Sequence, residues 1–317
     1  MITFPESFFQ EEERDGFLVP AMMKHAWAAE LKLLDQLRIF LESHQLSYFA
    51  EVGTLLGAIR HGGFIPWDDD LDIGMPREDY MKLQSLAGEL PEPLRLKSFY
   101  VQDNFDQFHA VVSNTRETKL SWDEKRTEEY FGCPFIVGID IFPFDYIPAD
   151  PNMRKLQRLL YNMAHVMAFS YDEVFSGQPD TARIQKYEKD LHTVEEYCHI
   201  KFDYDEPIKP QIWRLADNLA MQCREKEAAY FDYYPRMVLV EDATPYLRKK
   251  EWYQSYREAP FETTTIRVPK DAEKALERFY GDWKTPVNAV TEHEYPFYKK
   301  QIEYFELAGY GDRLKNL

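Results

Sequence analysis

Four aspartates within five positions, Asp68, Asp69, Asp70 and Asp72, sit inside an apolar and aromatic frame, GTLLGAIRHGGFIPWDDDLDIGM (Gly53–Met75). No other stretch limits the fold as strongly. Acidic runs in solvated loops are usually flanked by Ser, Lys and Glu. Here the flanks are Phe64, Ile65, Pro66, Trp67, Leu71 and Ile73, residues that a folded core buries. Read as a strand, the segment alternates its side chains with period two. Asp70 and Asp72 then share one face, which Asp68 can join, while Leu71 and Ile73 point to the other. Crowded carboxylates repel one another, and one of them resists ionising without a counter-charge. A divalent cation removes that conflict, and oxygen-only ligands favour Mg²⁺, or Mn²⁺, over zinc. The run lacks the D-x-[DN]-x-[DN]-G pattern and terminal glutamate of an EF-hand.

A second acid lies far downstream. Asp140 stands between Ile139 and Ile141 in an otherwise apolar run, and a charge in such a strand needs a partner when buried. If this strand neighbours the first, Asp140 joins Asp70 and Asp72 in a three-carboxylate metal site. The competing reading, a solvated acidic loop, is disfavoured by the apolar frame, by Gly53 and Gly57 upstream, and by Asp140.

Composition narrows the function classes. The 317 residues carry 38 Lys+Arg against 55 Asp+Glu, a formal charge of -17, which argues against a nucleic-acid scaffold. A nucleotide ligand stays open, because a metal can supply the missing positive charge. A 44% apolar share with 15% aromatics supports a substantial core. No run approaches the roughly 18 apolar residues of a membrane-spanning helix. The opening MITFPESFFQEEERDG lacks the basic and apolar regions of a signal peptide. Three scattered cysteines (Cys133, Cys198, Cys223) form neither a disulfide framework nor a zinc pattern. A cytoplasmic protein is the expectation.

The organisation predicted is α/β (α+β). Helical spacing runs over about 21–42, a short strand over Leu46–Gly53, a short helix follows it, and a strand holds Asp68–Gly74. Strand-like segments dominate up to Pro148, notably Phe108–Asn114 and Pro134–Pro148. Three helices follow, beginning after Asp150, near Thr181 and near Ile212. Short strands in MVLVE and TTIRVP and a helix at Asp271–Tyr280 close the chain. Residues 1–150 are therefore expected to form the catalytic core with its N-terminal helix, 151–235 a helical insertion, and 236–317 a region completing the core.

The segment Gly53–Met75, continued by Arg77, Asp79 and Tyr80, resembles the core motif of the LicD family, close to GTLLGAxRHxGFIPWDDDxDIxMxRxDY. GIDIFPFDYIP (Gly138–Pro148) and Tyr280-Gly281-Asp282-Trp283 extend the likeness. The family includes bacterial phosphocholine transferases and fukutin-related glycan-modifying enzymes. The resemblance implies a nucleotidyltransferase-like mixed sheet flanked by helices. It makes Asp70 and Asp72 the paired metal ligands and Asp140 the third carboxylate; for the general base Asp140 is preferred to Asp68, a choice that spacing does not decide. Gly53 and Thr54 match the turn that holds nucleotide phosphate through backbone N–H groups. It further implies Mg²⁺-dependent transfer of a phospho-alcohol group from a CDP-linked donor to a hydroxyl of a cell-surface glycan or its precursor, releasing CMP. Two rivals stand beside it: a true nucleotidyltransferase releasing pyrophosphate, and a non-catalytic member that binds nucleotide or glycan.

Other residues have a functional and a structural reading. Arg60 and His61 follow the phosphate-side helix, where an arginine clamps phosphate or merely ends a helix in solvent. Arg116 and Lys119 lie beyond the Phe108–Asn114 strand, where a loop can bring them to a diphosphate. His293 in EHEYPFY is a candidate phosphate contact. Trp67 reads as core. The band Tyr233, Tyr234, Tyr246, Trp252, Tyr253 and Tyr256 reads as packing, with a cation–π cage for choline as the alternative.

Overall fold

The computed structural model describes residues 2–102, 104–178, 180–238, 247–287 and 295–314. The chain divides into two compact units: Met1–Lys97, His109–Phe142 and Trp252–Leu317 in the first, Ser98–Phe108 and Pro143–Glu251 in the second. No helix among the described residues is long and apolar enough to cross a membrane.

The first unit opens with the hairpin β1 (Glu12–Arg14) and β2 (Phe17–Val19), turned at Asp15-Gly16, both with positive φ. Helix α1 (Ala21–Ser43) buries Met23, Trp27, Leu31, Leu34, Leu37 and Leu41 along one face. Each large apolar side chain so buried contributes roughly 1.5–3 kcal/mol. Then come β3 (Phe49–Ala50), α2 (Val52–Arg60), β4 (Leu71–Pro76) and α3 (Arg77–Ser85). The expected strand at Asp68 begins only at Leu71. Aspartate is depleted in strands, and three consecutive carboxylates are better accommodated in the turn before β4.

β5 (Arg95–Lys97), β6 (Ala110–Ser113), α4 (Glu124–Glu129) and β7 (Gly138–Pro148) follow, and the sheet of this unit runs β3-β4-β7-β6-β5. It is a central mixed sheet flanked by helices, the fold class expected. Along β7, Ile139 and Ile141 are fully buried on one side while Gly138, Asp140 and Phe142 are half-buried on the other. That alternation gives Asp140 an accessible face while the isoleucines anchor the strand.

In the second unit, helices α5 (Pro151–Phe175), α6 (Thr181–Cys198) and α7 (Ile208–Ala220) pack together, and β8 (Ala228–Tyr233) pairs antiparallel with the Phe144–Pro148 end of β7. Asp150 and Asp180 cap α5 and α6 by accepting N–H bonds from the first turns, with Pro151 at the start of α5. Gln157 donates from Nε2 to the Leu219 and Ala220 carbonyls at 2.8 and 3.2 Å, satisfying acceptors at the end of α7. Of the expected strand MVLVE, Met237 ends a 3₁₀ turn, and the rest from Leu239 lies outside the described residues.

The chain then returns to the first unit with the hairpin β9 (Tyr256–Phe261) and β10 (Thr264–Pro269), helix α8 (Ala272–Tyr280), α9 (Lys299–Leu307) and α10 (Gly311–Leu314). At the hairpin turn, the Glu262 N–H donates to the Gly62 carbonyl at 2.8 Å. The Glu262 carboxylate accepts from the Phe64 N–H at 3.1 Å and from both terminal nitrogens of Arg14 at 2.6 and 3.0 Å. The C-terminal hairpin thus pins the Gly62–Phe64 loop that leads into the aspartates.

Candidate active site

The acidic turn is held by its neighbours one peptide at a time. The Glu51 N–H donates to the Asp72 carbonyl at 3.0 Å, and the Asp72 N–H donates to Thr54 Oγ1 at 2.8 Å. The start of α2 and the start of β4 are clasped together in this way. Val52, between them, has φ 45°, a left-handed conformation costly for a β-branched residue. A Cβ on Gly53 would lie 2.2 Å from Asp68 Oδ2, so only glycine lets the Asp68 carboxylate approach α2 this closely. A Cβ on Gly57 would meet the Gly63 carbonyl oxygen at 2.4 Å.

Carboxylate oxygens of Asp68, Asp69 and Asp70 converge to within 4.8 Å of one another, near enough for one cation. Asp69 is fully buried and accepts a short hydrogen bond from the Phe297 N–H. The Asp68 carbonyl accepts from Trp27 Nε1 at 3.1 Å, and the Trp27 ring stacks on Phe64 at 4.6 Å. The set is all oxygen and hard, which suits Mg²⁺ or Mn²⁺. Asp72, 7% exposed, stands in β4 just beyond the cluster. Asp140 stands on the neighbouring strand β7, with its side chain more than a third exposed. The convergent trio and the expected trio thus have Asp70 in common.

Three residues near these acids escaped the sequence reading. Glu30, on α1, is 1% exposed, and its pKa is pushed well up by burial, then by Asp70, Asp69, Asp68 and Asp72. Its signal was a glutamate at a core position of an amphipathic helix. Tyr295 has its phenol pushed up to about 12 by burial and by Asp69 and Asp68, and its hydroxyl makes no hydrogen bond among the described residues. His109 places Nε2 3.2 Å from Asp140 Oδ2. The β6–β7 register explains that pair: Val111 lies opposite Asp140, so His109, two residues back, shares its face.

The remaining candidates make other contacts. Arg60 donates from one terminal nitrogen to the Trp283 carbonyl at 2.9 Å, tying α2 to the Tyr280–Trp283 segment; burial lowers its pKa. His61 Nε2 lies 3.1 Å from Asp15 Oδ2, and burial followed by Arg60 lowers its pKa. Thr54, expected at the phosphate turn, is buried with its oxygen on Asp72. Arg116 spends its guanidinium on the 90–94 loop: Nε on the Leu94 carbonyl at 3.2 Å, the terminal nitrogens on the Leu90 carbonyl at 2.6 Å and Glu92 at 2.8 Å. Lys119 is exposed. His293 and Tyr246 lie outside the described residues. Trp67 is half-buried, with its ring 6.2 Å from Phe17.

Comparison with known proteins agrees with this geometry. The profile described as LicD/FKTN/FKRP, nucleotidyltransferase domain, matches residues 45–179. Lipopolysaccharide cholinephosphotransferase LicD of Haemophilus influenzae is 31% identical over 135 residues, 41% of this chain and 48% of that protein. Human ribitol 5-phosphate transferase FKRP is 48% identical over 48 residues, 15% of this chain and 10% of that protein. The chain thus spans about half the length, or less, of these curated relatives. The clasped acidic turn and the mixed sheet thus lie in and around a segment, residues 45–179, that is similar to the nucleotidyltransferase domain of the LicD family.

Proposed function

We propose that this protein transfers a phospho-alcohol group, phosphocholine or a phospho-alditol, from a CDP-linked donor to a glycan hydroxyl and releases CMP. The observation carrying the proposal is the convergence of Asp68, Asp69 and Asp70 inside the matched domain. The two relatives support the class of group moved, since one is a cholinephosphotransferase and the other a ribitol 5-phosphate transferase. A divalent cation, Mg²⁺ or Mn²⁺, held by Asp70 with its aspartate neighbours would neutralise charge on the donor diphosphate and the departing CMP.

The chain's own residues supply the rest. The clasp of Glu51 and Thr54 on Asp72 fixes the carboxylate turn against α2. The backbone N–H groups near Gly53, at the start of α2, would be available to donor phosphate. Asp140 is the base: it takes the proton of the acceptor hydroxyl as that oxygen attacks phosphorus, and His109 lies beside its carboxylate with Nε2 at 3.2 Å.

The test is to incubate the protein with Mg²⁺, a mixed glycan acceptor pool and CDP-choline, CDP-ethanolamine, CDP-glycerol or CDP-ribitol in turn, and to follow phosphorus NMR. CMP with a new phosphodiester signal is the expected result. No CMP from any donor overturns the proposal. A second reading follows from the matched domain's own description as a nucleotidyltransferase. There a sugar phosphate attacks the α-phosphate of a nucleoside triphosphate, and pyrophosphate leaves instead of CMP.

A further inference from the structure

We infer that Glu30 is a positioning residue of the cation site, a buried acceptor that holds the hydration shell of the ion bound at the aspartate turn. The inference rests on the metal-dependent reading above and adds to it a residue outside the matched 45–179 segment.

The geometry starts on α1. Trp27 donates from Nε1 to the Asp68 carbonyl, so this face of the helix lies against the acidic turn. Glu30 is three residues on, which puts it one turn along the same face. It is 1% exposed, yet Oε2 makes no hydrogen bond among the described residues. An unsatisfied buried acceptor costs on the order of 1–3 kcal/mol. The strongest charged influences on it are acids, with Asp70 foremost and Asp69, Asp68 and Asp72 after it. A glutamine or leucine would fill the same volume without that repulsion. A fifth acid beside four aspartates becomes favourable when the site holds a cation.

Glu30 is not among the three carboxylates whose oxygens converge. Its role is therefore to act through the ion's water rather than to touch the ion. Mg²⁺ dehydrates reluctantly and keeps several waters, so an acceptor at this depth has a donor to receive. Removing outer partners of this kind typically weakens metal affinity by about 10–100-fold.

The test titrates the full chain with Mn²⁺ alone, following free Mn²⁺ by electron paramagnetic resonance, for the wild type, Glu30→Leu, Glu30→Gln and Asp70→Asn. Glu30→Leu is expected to bind about 10–100-fold more weakly. Glu30→Gln, which keeps an acceptor but loses the charge, is expected to bind about tenfold more weakly, and it decides the matter if the leucine variant does not fold. The metal-free melting temperature of both folded variants should equal or exceed that of the wild type, which a purely structural glutamate would not allow. Wild-type affinity in either Glu30 variant, with binding lost in Asp70→Asn, overturns the role of Glu30 and leaves the metal reading standing. Absence of Mn²⁺ binding by the wild type overturns both.

Discussion

Two buried carboxyls, Glu30 in the first unit and Asp232 in the second, are treated in opposite ways. Asp232, on β8, is 4% exposed and lies directly opposite the equally buried Asp145 across the β7–β8 pair. Arg248 answers it from three atoms. Its Nε donates to Oδ2 at 3.0 Å, a terminal nitrogen makes a short bond to Oδ1, and its backbone N–H reaches Oδ2 at 3.1 Å. Arg236 adds a fourth contact at 3.5 Å, and the Tyr233 N–H a fifth at 2.8 Å. Every lone pair of Asp232 has a use inside the protein. Glu30 keeps an oxygen without a hydrogen bond among the described residues and sits among acids. A buried carboxyl that is saturated holds a fold together, whereas one left open beside other acids is a place for something from outside.

The largest expected effect tests the open side of that contrast. Asp70→Asn should lower Mg²⁺-dependent CMP release by at least about 10²-fold, as loss of charge stabilisation at the reacting phosphorus does. Its circular dichroism should stay unchanged. Retention of wild-type turnover would remove Asp70 from the site. The saturated side predicts a loss of stability instead. Arg248→Met strips Asp232 of its main partner and should destabilise the protein by about 3–5 kcal/mol in urea unfolding, as a broken buried pair does. A loss under about 1 kcal/mol would show that this network is not worth what a buried pair should be.

Glycines sharpen the same distinction on a smaller scale. Gly57→Ala drives a methyl into the Gly63 carbonyl, a backbone atom that cannot swing away. It should cost about 1–3 kcal/mol in melting experiments. Gly53→Ala meets only the tip of Asp68. Its stability loss should be smaller than that of Gly57→Ala, while Mn²⁺ affinity falls because the carboxylate is displaced. Equal effects on stability and no effect on metal would contradict this assignment.

The smallest effect belongs to a half-buried base in the second unit. Burial pushes the His165 imidazole down to about 4, with Phe108 stacked on it at 5.3 Å. In the unfolded chain the imidazole takes up a proton near pH 6.5, before the folded chain can. The neutral ring therefore supports the fold fully above about pH 6.5, and the support drains away as pH falls from there toward 4. Melting temperatures measured from pH 7 to pH 4 should decline less in His165→Gln than in the wild type.

Much of this was legible in the chain itself, for physical reasons. The 3.6-residue spacing of Trp27, Leu31 and Leu34 announces α1, and the alternation around Asp140 announces β7. The acidic run announced a carboxylate cluster, because only a fold gathers so many apolar flanks around it. Its conformation was less legible: Asp68–Asp70 precede β4, so the convergent trio is consecutive in sequence instead of alternating on a strand face. Side chains recruited from a distance left no local trace. Glu30 gains meaning only through Trp27 on Asp68, His109 only through the β6–β7 register, and Arg116 is drawn to carbonyls more than twenty residues upstream. Those relations belong to tertiary packing, which no window of sequence contains.

The bond from the Phe297 N–H to Asp69 spans 228 positions of chain. During synthesis, the aspartate turn leaves the ribosome long before the residue that secures it. Until Phe297 emerges, Asp69 lacks this one hydrogen bond, and the aspartate turn is one contact short of its final form. A nascent chain halted before that point should carry α1 and the sheet but bind Mn²⁺ poorly. The order of translation thereby delays completion of the turn until residue 297 has been made.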